Sequence, residues 1–399
     1  MKKIYLILIL LILPIMVSAN TTTQPPEESS NQQGTQTEEN IERRLVKNSE
    51  AAILMEASTG KILYEHNANT PMAMASLTKL MTLLLAMESL ESERISLTDM
   101  VLITPNAARM GGSQVFLEAG SKIKVEDLLK AIAIASANDA SVAIAEFISG
   151  TNDTFVNKMN ERCKELGCTN TNFVNTHGLD HEDHYSSAHD MAIISRELVR
   201  HEKLLAYTSI YEEHLNKPDG ISTWMVNTNR LIRFYNGMDG LKTGFTAKAG
   251  YCLSSTAKRN NMRLISVVMN APSSNERTND TVELLNYGFS NYKVKTILDT
   301  DHNLGTIEII NGKTKTAEIR LLNPATELEN INEERQYSHN IVINEVKAPV
   351  NVGDIVGQLE VIENGEVIST HPITVKENVK RANLWDLYRR NLQMFLVGR

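Results

Sequence analysis

The sequence predicts an α+β protein: an antiparallel sheet flanked by helices, then a small all-β sandwich, then a C-terminal amphipathic helix. Strand-like runs open and close the region before residue 292, and helical patterns fill the interval between them. This order favours helices packed on one antiparallel sheet. From residue 293 onward, short Val- and Ile-rich runs alternate with turns such as Asn-Gly, which is typical of an all-β domain.

The bulk composition indicates a globular protein that is long enough for two domains. The chain has 399 residues, of which 42% are hydrophobic and 22% are charged. A core can therefore form without metal ions or disulfides. The formal net charge is -8, whereas phosphate binding requires a basic surface. We therefore expect no nucleic-acid partner.

The N-terminus carries the features of an export signal. Lys2 and Lys3 precede an apolar run over residues 4–17, and small residues lead up to Ala19. We expect residues 1–19 to be a signal peptide. An uncleaved anchor is the less favoured alternative, because the run is too short for a comfortable bilayer span. The protein is then expected at the outer face of the cytoplasmic membrane or in the cell wall or periplasm.

Two domains are predicted after this segment. Residues 20–46 are rich in Thr, Gln, Asn, Glu and Ser, so we expect a flexible linker there. The first domain spans residues 47–292. Its predicted strands cover 51–55, 61–65, 250–256 and 264–269, and its predicted helices cover 76–90, 125–147, 152–166, 188–201 and 280–289.

The second domain, residues 293–378, contains only strand patterns. The remaining segment, 379–399, places apolar residues such as Leu384 and Trp385 on one half of a helical wheel and Arg389 and Arg390 on the other. Such a helix suits the interface of a membrane. The alternative is a terminal helix packed on the β-rich domain, and we favour binding to the membrane surface.

The cysteine count gives little support for a disulfide framework or a zinc site. Cys163, Cys168 and Cys252 are the three cysteines, and no Cys-x-x-Cys pair occurs. Cys163 and Cys168 are near enough in sequence to bridge, although nothing in the sequence requires it. We favour three small thiols that are buried or partly buried.

The first candidate motif is Ser76-Leu77-Thr78-Lys79, which lies where a helix is predicted to start. Residues three apart on a helix share a face. A serine hydroxyl needs a base, and a lysine with a lowered pKa can serve as that base. Alone, the pattern also fits an N-capping serine beside a solvated lysine.

Two further short motifs follow along the chain. Ser136-Ala137-Asn138 comes after an apolar run and can present a hydroxyl and an amide to a cleft. Lys242-Thr243-Gly244 adjoins a predicted strand, where glycine permits close approach of a ligand and the lysine and threonine suit an anionic group. Each is uninformative alone, as a helix cap or a turn. In this order, however, the three form the set shared by penicillin-binding proteins and class A β-lactamases.

The chain therefore resembles the low-molecular-mass penicillin-binding proteins, the serine D-alanyl-D-alanine carboxypeptidases. Further stretches are similar to that family, including residues 116–120, 176–179, 184–192 and 239–250, although Phe245 stands where some members have histidine. The β-rich domain and the terminal helix also resemble these enzymes. The resemblance implies the β-lactamase/DD-peptidase fold for residues 47–292 and removal of the terminal D-alanine from peptidoglycan stem pentapeptides.

The resemblance also implies roles for individual residues. Ser76 would be the nucleophile, Lys79 its base, and Ser136 and Asn138 would carry protons and orient the substrate. The backbone N–H groups of Ser76 and Phe245 would form the oxyanion hole. The groups implied for substrate binding are Lys242, Thr243, Gly244, Phe245 and Arg277. A plain surface arginine is the alternative for Arg277.

The same resemblance implies peptidoglycan stem peptides as substrates and β-lactam antibiotics as covalent inhibitors. It implies no cofactor and no metal, since serine and lysine supply the chemistry. His177, His181, His184 and His189 are spaced like metal ligands, but we interpret them as structural or solvated.

Three alternatives remain open. A β-lactamase needs a Glu-x-x-Leu-Asn element, and the nearest match, residues 202–206, lacks the final Asn. An endopeptidase acting on cross-links would differ only in the shape of its cleft. A non-catalytic peptidoglycan-binding protein is disfavoured because all three motifs are intact.

Overall fold

The structure is a computed structural model that describes residues 44–218 and 220–386. The predicted signal peptide 1–19, the linker before residue 44 and the part of the predicted terminal helix after residue 386 lie outside the described residues. Predictions about those segments are therefore not addressed by the fold.

The first part of the described chain contains nine helices and nine strands, and a 3-10 turn at Ala75–Thr78 precedes α1. The strands are β1 (Ala51–Glu56), β2 (Ile62–His66), β3 (Met100–Leu102), β4 (Lys122–Lys124), β5 (Glu212–Asn216), β6 (Ser222–Val226), β7 (Met238–Thr246), β8 (Gly250–Arg259) and β9 (Met262–Ala271). The helices are α1 (Lys79–Glu91), α2 (Pro105–Ala108), α3 (Val125–Ala135), α4 (Asn138–Ser149), α5 (Asn152–Glu165), α6 (Ala188–Leu198), α7 (Glu202–Thr208), α8 (Leu231–Phe234) and α9 (Ser274–Asn291).

Five strands form one antiparallel sheet in the order β2-β1-β9-β8-β7. Every residue of β1 is buried, because helices cover both faces of the sheet. On one face, Leu284 and Leu285 of α9 share an apolar cluster with Leu54 and Leu264. On the other face, α1, α3, α4 and α6 contribute to a larger cluster. The predicted antiparallel sheet flanked by helices is therefore confirmed.

Helix α1 lies inside the helical layer. Ten of its 13 residues are buried, so it is surrounded by other elements rather than presenting one face to water. The buried set includes Lys79 at its first position. This placement brings the first candidate motif into the centre of the domain, at the end of α1 that points toward the sheet edge strand β7.

One predicted helix is broken in the structure, and another ends earlier than predicted. The predicted helix 125–147 is wrong as one element, because Ser136 takes a left-handed conformation with φ of 61° and separates α3 from α4. A helix cannot continue through such a residue. The predicted helix 188–201 ends at Leu198, and the chain starts a second helix at Glu202. Apolar periodicity continues across the break at Ser136, which is why the sequence pattern does not reveal it.

The end of the predicted linker is packed rather than flexible. Val46 is fully buried against the cluster beside α9. The following backbone is held by the buried carboxylate of Asp280 in α9, which accepts hydrogen bonds from the N–H groups of Lys47, Asn48 and Ser49 at 3.2, 3.2 and 2.8 Å. The Ser49 hydroxyl also donates to it at 2.8 Å. One carboxylate thus fixes the entry of the chain into the domain.

The second part of the described chain is all-β, as predicted. Its strands are β10 (Tyr292–Leu298), β11 (Thr306–Ile310), β12 (Thr316–Leu321), β13 (Ala325–Asn330), β14 (Ser338–Ile343), β15 (Val346–Lys347), β16 (Gly357–Glu363) and β17 (Glu366–Val375). Strands β10 and β13 pair with each other, and the other six form the order β14-β16-β17-β12-β11-β15. Side chains from both sheets share one apolar cluster. Strand β10 begins at Tyr292, one residue before the predicted start of the second domain at residue 293.

The favoured interpretation of three thiols is wrong for two of the cysteines. Cys163 and Cys168 form a disulfide, with their Cα atoms 5.3 Å apart. The backbone turns sharply after α5, so that the N–H of Cys168 donates to the carbonyl of Cys163 at 2.9 Å. This turn brings the two side chains into bonding range. Cys252 is a buried free thiol, as expected.

None of the helices described is long and apolar enough to cross a bilayer. At the C-terminal limit of the described residues, Leu384 and Trp385 are 87% and 72% exposed. These side chains belong to the apolar half of the predicted amphipathic helix. The predicted start of that helix at residue 379 is wrong, because Val379 is buried and bridges Val350, Arg381 bridges Gly312, and the helical conformation begins only at Leu384.

We predict that Asp280→Asn destabilises the protein by about 2–3 kcal/mol, because an amide replaces one acceptor oxygen by a donor that faces other donors. Urea unfolding followed by circular dichroism measures this. Glu283→Gln, on the exposed side of the same helix, is the control and should change the unfolding free energy by less than about 0.5 kcal/mol. Equal midpoints for both variants would contradict the anchoring role.

Candidate active site

The hydroxyl of Ser76 lies in the tight turn that leads into α1. The turn begins at Ala75, which has φ of 47°, a conformation rarely tolerated by a residue with a Cβ. Ser76 is half-buried, and its Oγ accepts a hydrogen bond from Lys79 Nζ at 3.0 Å. The spacing of three residues therefore brings the hydroxyl and the amine together, as the sequence predicts.

The amine of Lys79 is fully buried and makes three hydrogen bonds. In addition to Ser76 Oγ, it donates to Asn138 Oδ1 at 2.7 Å and to the carbonyl of His177 at 2.5 Å. Burial lowers the pKa of Lys79 well below its usual value, and the positive charge of Lys242 lowers it further. Asp139 raises the pKa by a smaller amount. The environment thus favours a neutral amine, which can accept a proton.

Asn138, the first residue of α4, joins the second motif to the first. Its Oδ1 accepts from Lys79, and its Nδ2 donates to the carbonyl of Gly111 at 2.7 Å. These two bonds fix which side of the amide is oxygen. Ser136 is 4% exposed and lies at the break between α3 and α4. Its hydroxyl has no hydrogen-bond partner among the described residues, and its role as a proton carrier stays a prediction.

The third motif lies on β7, the edge strand beside the nucleophile. A Cβ placed on Gly244 would lie 3.0 Å from the carbonyl oxygen of Met74 and 3.1 Å from the nitrogen of Ser76. A side chain at this position would push the strand or the turn apart by a few tenths of an ångström, so glycine suits this close approach to Ser76. Phe245, the next residue, has a 56% exposed side chain whose ring packs against Tyr251 at 4.3 Å between centroids.

Lys242 presents a buried cation on the same strand. Its Nζ donates to the carbonyl of Thr243 at 2.9 Å. Burial, and then the charge of Arg277, lowers its pKa to about 7. The charge of Lys242 lowers the pKa of Lys79, and Gly244 of the same strand lies against the turn that carries Ser76, so the two amines belong to one site. Hence the hydroxyl of Ser76, both amines and the amide of Asn138 converge, as the three motifs together predict.

Arg277 is a buried arginine without a carboxylate partner. It is 7% exposed, its Nη2 donates to Ser274 Oγ at 3.2 Å, and its Nε has no partner in the part of the chain that the structure describes. Burial lowers its pKa, and the charge of Arg230 also disfavours the cation there. The alternative of a plain surface arginine is therefore wrong. A buried, unpaired cation is suited to an anionic ligand.

Several residues that complete the site are missed by the sequence interpretation. Gly178 has φ of 94°, and a Cβ there would lie 2.0 Å from the carbonyl oxygen of Ala75, so only glycine fits against the nucleophile's turn. The carbonyl of His177 binds Lys79, a backbone contact that no side-chain pattern reveals. Asp139 accepts from the N–H groups of Val115 and Leu117 at 3.1 Å each. Asp139 directly follows Asn138 of the second motif, and this position in the sequence is the feature that could have marked it as a site residue.

The four clustered histidines have separate environments. Burial, and then the charge of Lys79, lowers the pKa of His177 to about 3. Burial, and then His181, lowers the pKa of His184 to about 4. His184 Nε2 lies 2.7 Å from Thr78 Oγ1, and its Nδ1 accepts from the N–H of Val174. Within residues 44–218 and 220–386, no group of three His, Cys, Asp or Glu side chains is arranged to hold a metal ion.

The arrangement is suited to acyl transfer. A serine hydroxyl faces a buried amine whose pKa is lowered, and cations without carboxylate partners lie beside it. Such a site defines a serine acyl-transferring enzyme whose base is a lysine and whose ligand carries a negative charge.

Comparison with known proteins agrees with this class. Residues 36–273 match the sequence profile of the peptidase S11 family, D-alanyl-D-alanine carboxypeptidase, and residues 292–381 match that of the penicillin-binding protein 5 C-terminal domain. The chain therefore belongs to the D-alanyl-D-alanine carboxypeptidase family, and the predicted resemblance is confirmed.

Individual relatives cover most of the chain. D-alanyl-D-alanine carboxypeptidase DacF of Bacillus subtilis is 42% identical over 367 residues, which are 90% of this chain and 92% of that protein. The crystal structure of penicillin-binding protein 5 from Haemophilus influenzae has a TM-score of 0.67 and 31% identity, and the match covers 84% and 98% of the two chains. Penicillin-binding protein D2 from Listeria monocytogenes, in an ampicillin-bound form, has a TM-score of 0.54 and 33% identity over 60% of this chain and 97% of its own.

We predict a bell-shaped dependence of kcat/KM on pH. Activity should rise as Lys79 loses its proton and should fall above about pH 7 as Lys242 loses its own. Arg277→Gln removes a positive charge, so the pKa of Lys242 should rise and the alkaline limb should move to higher pH. Arg200→Gln, at an exposed arginine paired with Glu197, is the control. An alkaline limb that is unmoved in Arg277→Gln would contradict this assignment.

Proposed function

We propose that this protein is a serine D-Ala-D-Ala carboxypeptidase that removes the terminal D-alanine from peptidoglycan stem pentapeptides through an acyl-enzyme on Ser76. The observation that carries the proposal is the contact of Lys79 Nζ with Ser76 Oγ at 3.0 Å inside a buried network. Family membership agrees with this reaction.

In the acylation step, neutral Lys79 takes the proton of Ser76 while Oγ attacks the carbonyl carbon of the penultimate D-alanine. The oxyanion is stabilised by the backbone N–H groups of Ser76 and Phe245, and each such donor contributes about 10²–10³ in rate. The C–N bond then breaks, and the proton reaches the leaving amine of the terminal D-alanine from Lys79, with Ser136 as carrier. An ester on Ser76 remains.

The substrate is held along the edge of the sheet. Because β7 is an edge strand, an extended peptide can pair with its free side. The terminal carboxylate is bound by the cations of Lys242 and Arg277 beside the hydroxyl of Thr243, while Gly244 allows the close approach of the strand to Ser76. Asn138 orients the substrate amide through its Nδ2 group.

Deacylation requires a water molecule that attacks the ester carbonyl. Lys79 takes one proton from this water, the bond from the carbonyl carbon to Ser76 Oγ then breaks, and Lys79 returns the proton to Oγ as the shortened peptide leaves. A β-lactam carries an amide and a carboxylate that engage the same groups, so it acylates Ser76 and acts as a covalent inhibitor. The ampicillin-bound relative supports this part of the proposal.

The alternatives gain no support from the structure. The residues nearest to a β-lactamase element belong to α7, where Glu202 is exposed. Retention of the complete Ser76, Lys79 and Asn138 network argues against a protein that only binds peptidoglycan. No observation favours an endopeptidase over a carboxypeptidase.

We expect Ser76→Ala to abolish labelling by a fluorescent penicillin and to abolish release of D-alanine from a synthetic pentapeptide ending in D-Ala-D-Ala. The cause is loss of the attacking oxygen. Gel fluorescence and mass spectrometry give the two readouts. Ser92→Ala, at an exposed serine just beyond the other end of α1, should retain both. Release of D-alanine by Ser76→Ala would contradict the acyl-enzyme.

We further propose that residues 1–19 export the chain and that the residues from 20 to the start of the packed segment near Leu45 form a flexible linker. We also propose that an amphipathic helix beginning at Leu384 and continuing toward residue 399 holds the protein on the outer membrane surface. The exposed apolar side chains of Leu384 and Trp385 support this proposal, because large exposed apolar groups suit a membrane interface. Residues 47–292 form the catalytic domain in this arrangement, and residues 293–378 form a spacer of β structure.

We predict that replacing both Leu384 and Trp385 with glutamate reduces cosedimentation of the full chain with anionic phospholipid vesicles by at least about fivefold, because each glutamate opposes burial in the interface. Ile355→Glu is the matched control, since Ile355 is 64% exposed elsewhere in the β region. Labelling by penicillin should be unchanged in both variants. Equal cosedimentation of the two variants would contradict the membrane helix.

A further inference from the structure

A short segment between β6 and α8, residues 227–230, lies against the strand that carries the third motif. It reads Asn-Thr-Asn-Arg. Both asparagines are buried, whereas Thr228 and Arg230 are exposed. Alternation of buried and exposed side chains in so short a loop means that the asparagines hold it while the other two residues face outward.

The two asparagine side chains hold this segment in place by hydrogen bonds to backbone groups of neighbouring elements. Asn227 Nδ2 donates to the carbonyls of Thr208 and Ile210 at 3.0 and 2.9 Å. Asn229 Nδ2 donates to the carbonyl of Gly240, in β7, at 3.1 Å. Asn227 Oδ1 accepts the N–H of Asn229, and Asn229 Oδ1 accepts the N–H of Leu231, the first residue of α8. A loop with all of these buried polar groups satisfied is rigid.

The side chain of Thr228 reaches the third motif directly. The hydroxyl of Thr243 donates to Thr228 Oγ1 at 2.6 Å. Each threonine hydroxyl has a single hydrogen to donate, so the hydrogen of Thr243 is engaged in this bond. The hydrogen of the Thr228 hydroxyl has no acceptor among the described residues. The outward-facing donor of this pair therefore belongs to Thr228.

The surroundings of this donor are cationic. Lys242 adjoins Thr243, and the positive charge of Arg277 lowers the pKa of Lys242. The positive charge of Arg230, two residues after Thr228, in turn lowers the pKa of Arg277. In the described ranges, neither arginine forms an ion pair with a carboxylate. The buried cations among them, Lys242 and Arg277, lack an internal anion within the described part of the chain, so the site is suited to an anionic ligand group.

We propose that the hydroxyl of Thr228 is a further binding group for the terminal carboxylate of the substrate. Thr243 orients this hydroxyl by donating to it, and Asn227 and Asn229 hold the loop that carries Thr228. The inference rests on the proposed function, since it assigns the carboxylate end of the same cleft. Thr228 donates its hydrogen to a carboxylate oxygen and accepts that of Thr243, so the pair delivers one donor of fixed direction.

The test uses the rate of acylation by benzylpenicillin, which has a free carboxylate, and by its methyl ester, which lacks the charge. Thr228→Val keeps the shape and removes the hydroxyl. We expect the second-order rate constant for benzylpenicillin to fall about tenfold, as for loss of one hydrogen bond to a charged group. The rate constant for the methyl ester should change less than about twofold.

Three companion variants separate binding from packing. Thr228→Ser should restore the rate with benzylpenicillin, because serine supplies the same donor. Thr243→Val should lower it, and the double variant Thr228→Val with Thr243→Val should lose less than the product of the two single losses, since one pair delivers one donor. Thr278→Val removes a hydroxyl that bonds to a helix carbonyl and should change neither rate.

An equal fall with benzylpenicillin and its methyl ester, or no fall with either, would overturn the assignment. Release of D-alanine from the pentapeptide is measured in parallel with the native protein. Native protein that is acylated but releases no D-alanine contradicts the proposed function and leaves the Thr228 comparison to be judged on its own rates. Native protein that is acylated by neither compound contradicts both.

Discussion

The buried amine of Lys79 is the group on which the rest of the site depends. Removing an ammonium from water is costly unless it is paired, and the less costly outcome is loss of its proton. Here the amine has three acceptors from three different chain segments, which are the turn before α1, the start of α4 and the loop at His177. Those segments must stay in place for the amine to be both buried and satisfied. The fold of the domain is thus coupled to the protonation state of one side chain.

Two lysines in one site perform opposite tasks because their surroundings differ. Lys79 must be neutral to take a proton, and both burial and the charge of Lys242 drive it toward that state. Lys242 must be charged to hold a carboxylate, and its pKa of about 7 leaves it partly protonated near neutral pH. A bound carboxylate would favour its cationic form, and that charge would then keep Lys79 neutral. Substrate binding and activation of the base therefore reinforce each other.

The sequence predicts the chemistry of this protein better than its backbone. Ser76, Lys79, Asn138 and Lys242 are recognisable because the three motifs that carry them occur in the order shared by penicillin-binding proteins. The left-handed residue at Ser136 is invisible, since apolar periodicity continues through it. Contacts of backbone groups, such as the carbonyl of His177, leave no trace in side-chain patterns. Tertiary packing likewise decides that Val46 is buried, although its neighbours have the composition of a linker.

Two glycines set how closely the segments of the site approach one another. Gly178 packs onto the carbonyl of Ala75 from the loop side, and Gly244 packs beside the nitrogen of Ser76 from the strand side. The nucleophile's turn is therefore enclosed between two backbones that carry no side chain at the contact. An oxyanion hole needs N–H groups at a fixed separation of a few ångströms, which bulky side chains would prevent. The same close contact explains why a strained Ala75 persists: the flanking backbones hold the turn in a conformation that it would not adopt alone.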